Sequence, residues 1–227
     1  VKGIFRNERI KELENNRTPI KFLENAKIVL HIIPEESTKI DKFYNIEIIT
    51  RSPSRLEPIK AMGIESSHTF EGFLTYTEDL SGVARSYVHL YKSGILEAVE
   101  GSILKPIVER YEIPSVDFEK EIIEAFPSYI QVLKALDVKT PITLFLTLVG
   151  VKGYNLKLNK EILGANPTPI EEDILKLEEI FVEDYDDFII IPRLLQPWFD
   201  EIWQACGLFK SFNYDEEGNW GQGLNMN

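Results

Sequence analysis

Between Ser67 and Glu100 the chain reads as three strands joined by short turns, and no other stretch of its 227 residues constrains the fold as much. Ser67–Thr77 sets Phe70, Phe73, Leu74 and Tyr76 among small polar residues. Glu78 to Gly82 is a turn, Val83–Tyr91 a second strand, and Ile95–Glu100 a third. Ser93-Gly94 joins the last two as a hairpin connection, because glycine tolerates the positive φ that such a turn needs. Strands joined this briefly form an antiparallel meander.

The flanking segments say what packs on it. Lys27–Ile33 is apolar on both alternations except at His31, which predicts a central strand covered on both faces. Pro141–Val149 predicts a further strand, Glu179–Glu183 an edge strand, and Tyr44–Thr50 another strand. Phe118, Ile122, Phe126, Tyr129, Ile130, Leu133 and Leu136 recur at three- and four-residue spacing, so a long amphipathic helix is expected there. Ser115 is its expected N-cap, and Pro127 is expected to kink or split it. Glu171–Leu177 reads as a short helix; Pro192 to Cys206 reads as the last one, closed by Gly207. The fold class is therefore α+β: a mainly antiparallel sheet, a meander of about three strands plus two or three others, flanked by helices. Strand–helix alternation is too irregular for a doubly wound nucleotide fold.

Residues 1–18 open inside a helix with a partial stripe of Ile4, Phe5, Arg9, Ile10 and Leu13. They are expected to be a connector from a domain upstream, leaving 19–227 as one α+β domain with a sub-boundary near 105–115. One cysteine, Cys206, excludes an internal disulfide and suits a reducing, cytoplasmic setting. No apolar run reaches the roughly 20 residues of a membrane helix. The net charge of −12 is unevenly placed. Residues 1–110 hold 16 basic and 16 acidic side chains, whereas 111–227 hold 9 and 21. The second half thus repels phosphate backbones, and the first half is free to carry a local basic face.

Alternation along Val83–Tyr91 puts Arg85, Tyr87, His89 and Tyr91 on one side, a set able to bind an anion or stack a base, with Arg51 and Arg55 as supplements. The competing reading is a solvated sheet face. His31, His68 and His89 are the three histidines, on separate expected strands, without HxH or HExxH spacing; no metal or cofactor is assigned. The acidic runs at Glu183–Asp187 and Asp215–Glu217 lack calcium-loop spacing and read as solvated loops. Gly150-Val151-Lys152-Gly153 follows an expected strand, not a helix, so it reads as a bulge or turn. No P-loop, dinucleotide fingerprint or nucleophile elbow is present.

Several blocks taken in order carry a resemblance. They are Phe5-Arg6-Asn7-Glu8-Arg9-Ile10, Ile28-Val29-Leu30-His31-Ile32-Ile33-Pro34, Phe70-Glu71-Gly72-Phe73-Leu74-Thr75-Tyr76, Ala84-Arg85-Ser86-Tyr87, Gly94-Ile95-Leu96-Glu97-Ala98-Val99 and Asn213-Tyr214-Asp215. The series resembles the C-terminal region of bacterial proteins whose N-terminal half is a Schlafen-like, divergent AlbA-type DNA-binding domain. The resemblance implies an accessory, interaction or regulatory role beside that domain, with a link to antiphage defence. It implies as partners the upstream domain itself, a second copy of the chain, and nucleic acid held through the upstream domain. The alternatives are direct nucleic-acid or nucleotide binding through the Arg85/Tyr87/His89 face, and a metal-dependent hydrolase built from the histidines and acidic loops.

Overall fold

The computed structural model describes residues 2–39, 42–159 and 164–221. Its elements in chain order are α1 (Lys2–Glu14), β1 (Lys27–Pro34), α2 (Glu47–Thr50), β2 (Glu65–His68), β3 (Gly72–Glu78), β4 (Ala84–Tyr91) and β5 (Leu96–Glu100). They continue with β6 (Glu112–Pro114), α3 (Ser115–Ala135), β7 (Ile142–Val149), β8 (Asn155–Lys157), β9 (Ile174–Lys176), β10 (Ile180–Val182) and α4 (Ile191–Ala205). The fold is α+β. One antiparallel sheet runs in the order β10-β7-β1-β5-β4-β3-β2, with β9 also on β7, and β6 and β8 form a separate parallel pair.

β1 is central, as its two apolar alternations require: it pairs β5 on one side and β7 on the other, and all eight of its residues are buried. One alternation, Ile28, Leu30 and Ile32, joins Val88, Leu90, Leu144, Leu146 and Leu148 in the main core. That core is closed by Phe118, Ile122, Phe126 and Tyr129 of α3 and by Leu195, Trp198, Phe199 and Ile202 of α4. The other alternation, Val29, His31 and Ile33, faces α1. There Ile10 and Leu13 pack with Val29, Tyr87 and Val99.

Several local expectations need correction. Ser67–Thr77 is not one strand: it folds back on itself as the β2–β3 hairpin, with Phe70 at the tip, 95% exposed. Gly72 starts β3 because a Cβ there would lie 2.0 Å from the Leu90 carbonyl oxygen. Tyr44–Thr50 is no strand; its end is α2, and Ile49 is buried in the main core. Within 171–177 the chain is extended, and β9 completes the ladder on Thr147–Val149 in place of a helix. α3 passes Pro127 without a break. Ser115 is the first residue of α3 rather than its cap, and its hydroxyl donates to Lys157 O (3.0 Å) beside the parallel pair. Gly207, at φ +77°, does end α4, with Leu208 N–H returning to Trp203 O (2.9 Å).

α1 is a layer of this structure. Its contact face is polar to an unusual degree: Arg6 is 8% exposed whereas Ile4, placed in the expected stripe, is 60% exposed. Arg6 reaches through to the sheet, donating from Nε to Thr147 Oγ1 (3.0 Å) and from one terminal nitrogen to Leu146 O (3.0 Å) and Leu177 O (3.1 Å). Lys2 donates to Thr143 Oγ1 (3.0 Å) one turn earlier. Among the described residues no helix is long and apolar enough to cross a membrane.

Candidate functional site

The face singled out on β4 is where the structure concentrates its polar side chains, but it lies under α1. Register explains the concentration. Glu97 of β5 stands opposite His31 of β1 on one side and His89 of β4 on the other. Side chains opposite each other in adjacent strands share a face, so the row His31–Glu97–His89 crosses the middle of the sheet. Arg9 descends from α1 onto it and pairs bidentately with Glu97, Nε to Oε2 at 2.8 Å and a terminal nitrogen to Oε1 at 2.9 Å. The Tyr87 hydroxyl donates to Oε1 (2.8 Å), and His31 Nε2 lies 3.0 Å from Oε2. Glu97 and His31 are fully buried.

These contacts settle the electrostatics. Burial alone would raise the Glu97 carboxyl, but the hydrogen bonds and charge of His31 and Arg9 outweigh it and hold the group well below the usual carboxylate range. Since Glu97 is ionised and accepts, His31 carries its proton on Nε2, and its Nδ1 has no partner. Burial depresses His89 to about 4, opposed by the charge of Glu97. Its Nε2 lies 2.9 Å from Thr69 Oγ1 in the β2–β3 turn. Burial likewise raises Tyr87 and Tyr91, with Glu97 adding to both. Phe5 closes the row, its ring edge-on to His31 (5.5 Å) and to Tyr91 (5.4 Å).

The six residues expected to form one ligand face therefore divide three ways. Tyr87, His89 and Tyr91 are 0%, 3% and 7% exposed, Tyr87 and Tyr91 packed against α1 and His89 against Tyr91 and Thr69, so they form no open face. Arg51 and Arg55 are exposed on a segment whose Ile49 and Leu56 belong to the core on the opposite side of the sheet. Arg51 is paired there with Glu47 of its own helical turn. Arg85 leaves the alternation through a bulge. Ala84 pairs with Glu78 and Ser86 with Thr77, which makes Arg85 the extra residue. Its guanidinium lies 3.9 Å from Met62 Sδ and lines a small cleft of about 290 Å³ with Lys60, Thr77 and Lys105.

Sequence reading missed Glu97 and Arg6 as buried groups and the half-buried Arg9 as the partner of Glu97. The available signal was strand alternation: residue 97 sits two positions from Ile95 and Val99 on the same face. A second buried carboxylate was also missed. Glu119 of α3 accepts from Trp203 Nε1 (2.8 Å), Ser211 Oγ (2.8 Å) and Trp220 Nε1 (2.7 Å). Burial raises it to about 7, against the pull of those donors.

Among the described residues, no group of three histidine, cysteine or acidic side chains is placed to hold a metal ion. His68 sits exposed on β2, away from the other two histidines. Asp184 and Asp187 cap the turn before α4, and Asp215 closes a turn with Asn219. Cys206 is buried, and burial raises its thiol to about 11. No protein-family model and no curated protein matches this chain.

Proposed function

We propose that this region is an accessory, regulatory module of a cytoplasmic, nucleic-acid-acting protein of the Schlafen-like kind, and that α1 is its working part. One observation carries the reading. The polar side chains best suited to chemistry, Glu97, His31 and Tyr87, are spent beneath α1, and Arg9 of α1 completes their set. A helix held by a buried ion pair docks in one register or not at all, since leaving half the pair behind costs about 3–5 kcal/mol. An all-or-none contact of this kind can couple a neighbouring domain to the sheet. The acidic second half supports the same reading, as it disfavours direct contact with a phosphate backbone.

Fluorescence anisotropy with labelled single- and double-stranded DNA and RNA tests it. The expected result for this chain is no saturable binding of any of the four at physiological salt. Binding that weakens on replacing Arg85, with Tyr87 and His89 still buried, would replace the accessory reading with direct nucleic-acid binding at the bulge.

A further inference from the structure

We infer that the cleft at the β4 bulge binds the phosphate group of a small phosphate monoester, an assignment that stands independently of the accessory role. Two separate backbone irregularities place cationic residues on the wall of this one cleft. Arg85 is turned into it by the extra residue of the bulge. Lys60 follows the main-core residue Ile59 with φ +55°, a left-handed conformation that costs a residue with a Cβ. Lys105, exposed in the turn after β5, supplies a third cation. Among the described residues none of the three has an ion-pair partner. The guanidinium offers a planar fork suited to two phosphate oxygens, and the ammonium groups add point charges.

The remaining lining fits the same ligand. Thr77 Oγ1 accepts the Met62 N–H (3.2 Å), which leaves the hydroxyl proton to give. Asp79 is the one carboxylate on the cleft wall, and its Oδ1 is closed into a turn by Ser81 N–H (2.8 Å), Ser81 Oγ (2.6 Å) and Val83 N–H (3.2 Å). Three cations thus share the cleft wall with one carboxylate, Asp79, which lies near Arg85, while Lys60 also lies near Glu100 and Glu121 outside the wall. Size and surroundings argue for a small ester over a polymer. The cleft is about 290 Å³, and it adjoins a second groove of about 420 Å³ that shares Lys60 and Met62. Glu57, Glu121 and Glu124 line that groove and would repel a second phosphate. The walls there include Pro58 and Ala61, which suit a neutral, partly apolar remainder carrying hydrogen-bond donors.

Isothermal titration of the chain with inorganic phosphate and with adenosine 5′-monophosphate tests the assignment. The nucleotide is expected to bind with one-to-one stoichiometry and more tightly than phosphate. Arg85→Gln is expected to weaken it by about tenfold or more, the loss of a bidentate charged contact. Lys60→Gly is expected to weaken it as well while Tm holds or rises, because glycine takes the positive φ without strain. Absence of heat from both probes at about 10 mM, or binding indifferent to both variants, overturns the site. Phosphate binding as tightly as the nucleotide overturns the ester in favour of the free anion. A single-stranded oligonucleotide that binds more tightly than the monomer, through the same two residues, overturns the small-ligand class.

Discussion

Glu97 and Glu119 are both buried carboxylates, and the difference between them is the difference between the two faces of the sheet. Glu97 sits under α1 between the Arg9 guanidinium and the His31 ring, and stays ionised. Glu119 sits between α3, α4 and the segment after it, and its donors, two indoles and a hydroxyl, are neutral. Neutral donors compensate burial only in part, so its carboxyl is raised to about 7. One face is latched by a charge pair and the other by a carboxylate poised to take up a proton.

Breaking the charge pair is expected to have the largest effect. Arg9→Met leaves Glu97 buried without its cation and should cost about 3–5 kcal/mol in chemical denaturation. The Arg9→Met/Glu97→Gln double variant should recover part of that loss, since no charge is then stranded and the amide oxygen can still accept from Tyr87. A double variant as unstable as the single one would mean that α1 is held by something other than this pair.

Acid and base sharpen the contrast. A raised Glu119 contributes stability that is present below its ordinary value of 4.5 and lost as pH rises through about 7. A depressed His89 contributes stability present above 6.5 and lost as pH falls through about 4. The two slopes oppose each other across the same window. Glu119→Gln should therefore leave a chain that gains stability from pH 4.5 to 7 more steeply than the parent, and His89→Gln one that gains less. Urea midpoints measured at half-unit steps of pH check both signs. Glu97 adds a further loss below pH 4.5, its depressed carboxyl being protonated only in strong acid.

The smallest expected effect lies outside both faces. Arg51→Gln and Arg55→Gln touch exposed side chains on the 46–59 segment, and neither should move the denaturation midpoint measurably. A clear shift would reveal a contact that the α3 face makes through this segment.

The parts of this fold that sequence revealed are those where one residue type repeats at a fixed period. β1, the β4–β5 hairpin, α3 and α4 all carry such a repeat, and each was legible. The functional layer was not, because it depends on single residues that break a period. Arg85 follows Tyr87 and His89 in alternation until one inserted residue turns it away. Arg6 falls outside the expected stripe of α1 and Arg9 inside it, and nothing local says that Thr147 and Glu97 wait 141 and 88 residues later. Glu119 reads as one more charged position on α3, and its partners are 84 to 101 residues away. In 171–177 a weak helical pattern lost to the open hydrogen-bonding positions of β7, which β9 fills.

The ladder along that side of β7 is filled by two three-residue strands: β10 pairs with Ile142–Leu144 and β9 with Thr147–Val149. The interval between them is sealed from above by Arg6 on Leu177 O, and from below by Trp198 Nε1 donating to Glu178 O (2.7 Å) and Glu201 accepting the Glu178 N–H (3.1 Å). A foreign strand arriving at this border would find no continuous template. Each half is too short to nucleate growth, and the gap is occupied by side chains that belong to the helices. The sheet is protected against fibrillar self-propagation at its β10 end by segmentation, and α1 and α4, one on each face, act as its guards.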